Sequence, residues 1–144
     1  DALRIPVETE IQIIENYIEL EKIRFTDRVD LSFSSECRSK DIQIPPMLII
    51  PFIENAFKHG VAKSLERSWI KVILRENGQM MDITVSNSKD QKQTKSETGG
   101  IGLANVRKRL EILFDENYKL DITETVKSYE VLLSIPRNQQ REDD

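Results

Sequence analysis

The sequence predicts an α+β fold, a two-layer sandwich with helices on one side of a largely antiparallel sheet. Three observations carry this. Asn77-Gly78 stands between two alternating runs, Ile70, Val72, Leu74 and Met81, Ile83, Val85. An Asn-Gly pair so placed is the preferred chemistry of a tight hairpin. A second alternating pair, Tyr118, Leu120, Ile122 and Val131, Leu133, Ile135, closes the chain. Segments of helical periodicity fall between these strand signals, an order typical of α+β domains.

Each element follows in turn. Pro6 suits the first turn of a helix that runs from Val7 to about Phe25. Ile11, Ile14 and Ile18 form one apolar stripe, and Ile13, Tyr17 and Leu20 a second. A helix apolar on two sides packs against more than one neighbour. Residues 29–33 alternate through Val29, Leu31 and Phe33 and predict a strand. Pro45-Pro46 ends an extended stretch and opens a helix to about His59, capped by Gly60. In it Ile49, Phe52, Ile53 and Ala56 share a face, and Pro51 is tolerated if the helix begins near Leu48. Residues 86–98 are polar, lysine-rich and aperiodic, which predicts a mobile loop of a length often used as a lid. Gly99-Gly100-Ile101-Gly102 leads into a helix to about Phe114, with Leu103, Val106, Leu110 and Leu113 as its buried stripe. Residues 138–144 read as a frayed tail.

Composition limits the function. At 144 residues the chain has the size of one domain, and its net charge of −4 argues against nucleic-acid binding through bulk electrostatics. The sequence shows no apolar run approaching a membrane span and no signal peptide. Its one cysteine, Cys37, cannot form an internal disulfide. It has no Cys or His neighbours to suggest a metal site, and reads as a passive thiol near a strand end.

Two stretches could carry chemistry. On a regular helix Asn55, Lys58 and His59 stand at i, i+3 and i+4 and share one surface. A carbonyl oxygen, a cation and an imidazole there suit a phosphate with its Mg²⁺, an ion that prefers oxygen ligands and keeps waters. The alternative is a solvated face with a Lys-His pair favoured by the helix dipole. Further on, three of the chain's five glycines fall at 99–102. Glycines at a helix start let backbone amides approach an anion, or else make a simple hinge.

Together these stretches resemble a known family. Residues 46–60, PMLIIPFIENAFKHG, are similar to the N box of the LytS-like sensor histidine kinases. Residues 100–110, GIGLANVRKRL, resemble their second glycine box and its helix. Residues 17–25, YIELEKIRF, resemble the segment after the phosphoacceptor region. The resemblance implies a Bergerat (GHKL) fold, with ATP between a helical layer and a mixed, mostly antiparallel sheet, and an additional N-terminal helix. By it, Asn55 and Lys58 are catalytic, Asn55 holds Mg²⁺ against the phosphates, and Lys58 and His59 contact phosphates or ribose. Gly100, Ile101, Gly102 and Leu103 line the triphosphate, and residues 88–99 form the ATP lid. Residues 1–27 become a helix leading from a missing dimerisation and phosphoacceptor region, and 28–137 the catalytic domain. The whole protein it implies is a bacterial protein-histidine kinase of a two-component system. That protein is a membrane-anchored homodimer with this domain in the cytoplasm and a response regulator as partner.

Three departures stand out. The family's adenine-reading aspartate falls at Asn87, with Lys89 and Gln91 where glycines belong. An Asn oxygen still accepts from an adenine amino group, without the charge that strengthens such a bond. The only histidine, His59, lies inside the N box, so the phosphoacceptor lies outside these residues. Pro51 stands where the gyrase and Hsp90 ATPases of the superfamily place a glutamate base, which argues against a stand-alone ATPase. Glu54 points about 100° away from Asn55. Arg107 and Arg109 follow the glycine box, Arg109 being expected on a solvated helix face. Trp69, at the start of a strand, is expected to pack in the core or at an edge. A competing reading is a degenerate GHKL domain that serves only as a protein-interaction module.

Overall fold

A computed structural model describes residues 3–38, 41–62, 64, 66–90 and 99–137. Three helices lie on one face of a five-stranded sheet. Strands β2 (Val29–Glu36), β4 (Ser68–Asn77), β5 (Met80–Ser88), β7 (Ser128–Pro136) and β6 (Lys119–Glu124) are ordered β2-β4-β5-β7-β6. The β2–β4 pair is parallel and the other three are antiparallel, so the sheet is mixed and mostly antiparallel, as the resemblance implies. A separate two-stranded ribbon pairs β1 (Ile5–Pro6) with β3 (Gln43–Ile44). Pro6 therefore sits in β1, one residue before helix α1 (Val7–Phe25), and not in its first turn.

Period-two patterning sets the two faces of the sheet. Register places Val72, Val85, Val131 and Ile122 in one cross-strand row, and Leu74, Ile83, Leu133 and Leu120 in the next. These rows face the helices and hold the buried core with Ile14, Phe52, Ile53, Phe57 and Phe114. The opposite face carries Trp69, which is 39% exposed, and does not pack into the core. Between β4 and β5 the two central turn residues are Gly78 and Gln79, one place later than Asn77-Gly78 suggests. Only Gly78 has a positive φ, 64°, the pattern of a II′ turn.

Helix α1 begins with Glu8 and Glu10 and ends with Lys22 and Arg24, charges that complement the helix dipole. Of its two stripes, Ile14 and Ile18 are buried, Ile11, Ile13 and Tyr17 half-buried, and Leu20 exposed. Phe25 stacks on Phe57 with ring centroids 5.6 Å apart, which ties the end of α1 to the turn that follows the second helix. Cys37, just after β2, is half-buried; burial, then the nearby Glu76, push its thiol pKa up.

Helix α2 departs from its sequence expectation. It spans only Ile50–Ala56, with Pro51 in the first turn where a missing N–H costs nothing. The chain then widens into a π turn, Phe57–Val61, closed by Ala62 N–H donating to Phe57 O at 2.8 Å. Gly60 is inside this turn and does not cap an α-helix. Helix α3 (Gly99–Phe114) is already helical at Gly99, so the glycines form its first turn rather than a leader. Leu103, Val106, Leu110 and Phe114 are buried and Leu113 half-buried beneath it.

Candidate functional site

The π turn after α2 meets the end of β5 at one end of the sheet. Helix α2 packs against β5 and α3, and the π turn packs against β4 and β5. The cross-strand row at this end is Ile70, Asn87, Tyr129 and Glu124, so the apolar rows give way to polar side chains on the helix-facing side. Asn87 belongs to β5, which runs on to Ser88; the aperiodic segment predicted from residue 86 therefore starts later. The body of the predicted lid, 91–98, lies outside the described residues.

Asn87 is 4% exposed. Its Nδ2 donates to the Ser88 carbonyl at 2.8 Å, which fixes the amide's orientation because only the nitrogen can donate there. Oδ1 accepts no hydrogen bond among the described residues and is not among the buried atoms left without a partner. The side chain therefore offers one acceptor to whatever lies beyond it. Gly60 forms the wall behind it. A Cβ built on Gly60 would lie 2.4 Å from Asn87 Nδ2, 3.0 Å from its Cγ and 3.0 Å from Ser88 O. Glycine is needed here for close approach rather than for helix termination.

The π turn also alters the expected helix surface. Asn55 is the sixth of seven residues in α2 and is half-buried. Lys58 and His59 lie beyond it in the wider turn, Lys58 exposed and His59 half-buried. Spacing of i, i+3 and i+4 defines a common surface on an α-helix, and the i→i+5 bonding of the π turn displaces that register. Such π turns occur often at functional sites. Gly100, Ile101, Gly102 and Leu103 stand at the start of α3, where the first few backbone amides have no intrahelical acceptor and the dipole is positive. That combination suits an anion.

Lys89, at a glycine position of the resembled family, turns away into the protein. Its Nζ lies 2.5 Å from Glu124 Oε2, with side chains only 6% and 15% exposed, and its amide donates to Lys127 O at 2.9 Å. The exit of β5 is thus fastened to the β6–β7 hairpin. Tyr129 stands beside this pair. Burial raises its phenol pKa, Glu124 adds to the rise and Arg107 opposes it.

Arg109 is half-buried and not on a solvated face. It donates from Nη2 to Pro46 O at 2.6 Å and from Nη1 to Met47 O at 3.1 Å. Glu10 of α1, wholly buried, accepts from Met47 N at 3.1 Å. Sequence reasoning passed over Glu10. Its signal was present: it falls four residues before Ile14 and eight before Ile18, a carboxylate within an apolar stripe. Among the described residues no three His, Cys, Asp or Glu side chains gather to hold a metal ion. No helix among them is long and apolar enough to cross a membrane.

Comparison with known proteins bears on the fold and the family. No family model matches the chain. The sensor protein LytS of Oceanobacillus iheyensis is 27% identical over 146 residues, covering 92% of this chain and 25% of LytS. The sensor histidine kinase BtsS of Escherichia coli K12 is 27% identical over 128 residues, covering 88% of this chain and 23% of BtsS. This chain thus spans about a quarter of the length of those proteins. Among solved structures, the nucleotide-free catalytic domain of histidine kinase ThkA superposes with a TM-score of 0.69 at 16% identity, covering 95% of this chain and 96% of that one. The mycobacterial sensor histidine kinase MprB superposes with a TM-score of 0.63 at 10% identity, covering 94% and 97%. The fold is that of a histidine kinase catalytic domain, and the sequence is related to LytS-type sensor kinases along nearly its whole length.

Proposed function

We propose that this chain, a relative of the LytS-type sensor histidine kinases, is an ATP-binding catalytic domain that delivers the γ-phosphate to a histidine outside these 144 residues. One observation carries the reading. The N-box turn and Asn87, 27 residues apart between Gly60 and Asn87, close on each other with no room for a Cβ between them. An acceptor of fixed orientation then stands at one end of α2, and α3 packs against the same helix.

In this reading each group has one task. Asn87 Oδ1 accepts from the exocyclic amino group of adenine. Gly100, Ile101, Gly102 and Leu103 at the start of α3 line the triphosphate, and the unpaired amides of that first turn donate to phosphate oxygens. Lys58 and His59 contact phosphate or ribose. Asn55 presents its amide oxygen to Mg²⁺, and a single oxygen suffices because phosphates and waters complete the shell. Bound Mg²⁺ would neutralise charge developing on the phosphates. The protein contributes positioning and charge neutralisation, the main demands of phosphoryl transfer. Pro51 leaves no base one turn before Asn55 to activate water, so transfer to a histidine is favoured over hydrolysis.

By analogy with the family, the acceptor histidine lies on helices of a homodimer of the intact protein, anchored in the membrane with this domain on the cytoplasmic side. A response regulator then takes the phosphoryl group. ThkA has been solved in complex with the response regulator TrrA, a structure that superposes with a TM-score of 0.60 and 42% of whose chain is covered.

Titration with a non-hydrolysable ATP analogue tests the reading. Binding with Mg²⁺ is expected, weakened at least tenfold by Asn55→Ala. The second reading, a protein-interaction module, draws on Lys89, which fills a position where the family has glycine and is tied to Glu124. Absence of binding at millimolar analogue would refute the nucleotide reading and favour that alternative.

A further inference from the structure

We infer that Glu10 and Arg109 are positioning residues, which together fix the start of α2 and thereby aim Asn55 at the phosphate end of the pocket. The inference rests on the ATP-binding reading above. It begins at Met47, whose φ of 59° lies in the left-handed region. A side chain rarely adopts that conformation unless its surroundings impose it.

Two elements impose it from opposite sides. From α1, Glu10 accepts the Met47 amide at 3.1 Å. From α3, the Arg109 guanidinium bridges two consecutive carbonyls, Pro46 O and Met47 O. The fork of an arginine can span both carbonyls; the point charge of a lysine cannot. Arg109 and Glu10 also attract each other.

This junction is costly for the fold. Glu10 is fully buried, and its Oε2 has no hydrogen-bond partner among the described residues. An apolar side chain there would extend the stripe of Val7, Ile14 and Ile18 and avoid burying a charge. Buried ionic groups are a poor route to stability and a better one to a defined geometry. The geometry defined here is that of α2. Ile50, Phe52 and Ile53 press one face of that helix onto the core, but apolar contact is weakly directional. The polar clamp sets its rotation. Asn55 lies about 7.5 Å along the axis from Ile50, and each residue step turns the helix by about 100°. A small slip at residues 46–48 would therefore swing the Asn55 amide through a large angle. Arg109 sits two turns after Gly102 on α3, so the same guanidinium links the Asn55 helix to the helix whose first turn faces the phosphates.

The test uses the full 144-residue chain and a non-hydrolysable ATP analogue, titrated with Mg²⁺ and again with excess chelator. Wild type, Glu10→Gln and Arg109→Lys are compared, with a thermal melt of each. The expected result is at least a threefold loss of the Mg²⁺ enhancement in both variants, while affinity in chelator stays within twofold. A lowered melting temperature with an unchanged enhancement ratio would mean that the clamp is only structural, and would overturn the inference. If Glu10→Gln does not fold, Arg109→Lys alone decides. If wild type binds no analogue, the nucleotide reading fails and takes this inference with it; if wild type binds and the variants match its ratio, the inference alone fails.

Discussion

Replacing Gly60 with alanine probes the contact on which the site is built. The new Cβ would stand 2.4 Å from Asn87 Nδ2, where carbon contacts settle near 3.5–4.0 Å, so something must move by about 1 Å. Asn87 cannot yield freely. It is buried, and its Nδ2 is held by Ser88 O at 2.8 Å. Overpacking of this kind costs about 1–3 kcal/mol, and the displaced hydrogen bond about 1 kcal/mol more. Alanine recovers up to about 1 kcal/mol over glycine in helical backbone. The net expectation is a loss of about 1–3 kcal/mol, or about 2–12 °C in Tm for a domain of this size. Urea unfolding of Gly60→Ala, Asn87→Ala and the double variant isolates the contact. Once the Asn87 side chain is removed, only the 3.0 Å approach to the Ser88 carbonyl remains, so the alanine should cost less, giving a coupling of about 1 kcal/mol or more. Equal cost in both backgrounds, or no cost in the first, would refute the proposed contact. Because the clash displaces Asn87 itself, Gly60→Ala should also weaken analogue binding well beyond its effect on stability.

Two other expectations concern buried charge. Lys89→Ala leaves Glu124 without its ammonium partner and should cost about 3 kcal/mol by chemical denaturation, whereas Lys89→Met combined with Glu124→Leu should cost far less; equal losses would mean that the pair is not effectively buried. Glu10 has its carboxyl pKa raised above 4.5, chiefly by burial, with the amides of Met47, Ile49 and Leu48 and then Arg109 pulling it back. The folded state therefore binds this proton more tightly than the unfolded state does. Glu10's titration favours folding below the ordinary carboxyl value, and that contribution is lost as pH rises through the raised value. Unfolding free energies measured from pH 4 upward should show wild type losing stability relative to Glu10→Gln across that window, and parallel curves would exclude the shift.

What the sequence made legible follows the range of the interactions. The limits of α1, Val7 and Phe25, depend on local charge and periodicity and could be read directly. So could the alternating strands on both sides of Gly78, although the turn itself lies one residue later because Asn77 pairs with Met80. The π turn was not legible, because Ile49, Phe52, Ile53 and Ala56 follow the same pattern whether or not the helix widens after Ala56. Two-residue strands such as β1 and β3 are too short to alternate. That β2 runs parallel to β4 is decided between strands, not within one. Within the site, residue types at Asn55, Lys58 and His59 suggested phosphate chemistry, and the wider turn changes how they share a surface. Glu10 and Arg109 reach partners 37 to 63 residues away, a separation at which local pattern carries no information.

The departures from the family pattern become coherent when their partners are considered together. An aspartate at position 87 would set a carboxylate oxygen against the Ser88 carbonyl, where Nδ2 now donates. Asparagine is thus the residue that this backbone accepts, and the bond that satisfies its nitrogen also directs its oxygen. Lys89 would bring a cation to the base end of the pocket, but Glu124 neutralises it. In the proposed pocket, position 87 is consequently an uncharged side chain where the resembled family has an acid. Recognition there would depend on the direction of one acceptor, held by Gly60 behind it and Ser88 beside it. Charge-assisted bonds are about twice as strong as neutral ones, so a weaker hold on the base follows. Positioning at the other end of the pocket then matters more, and that is the end governed by the start of α2.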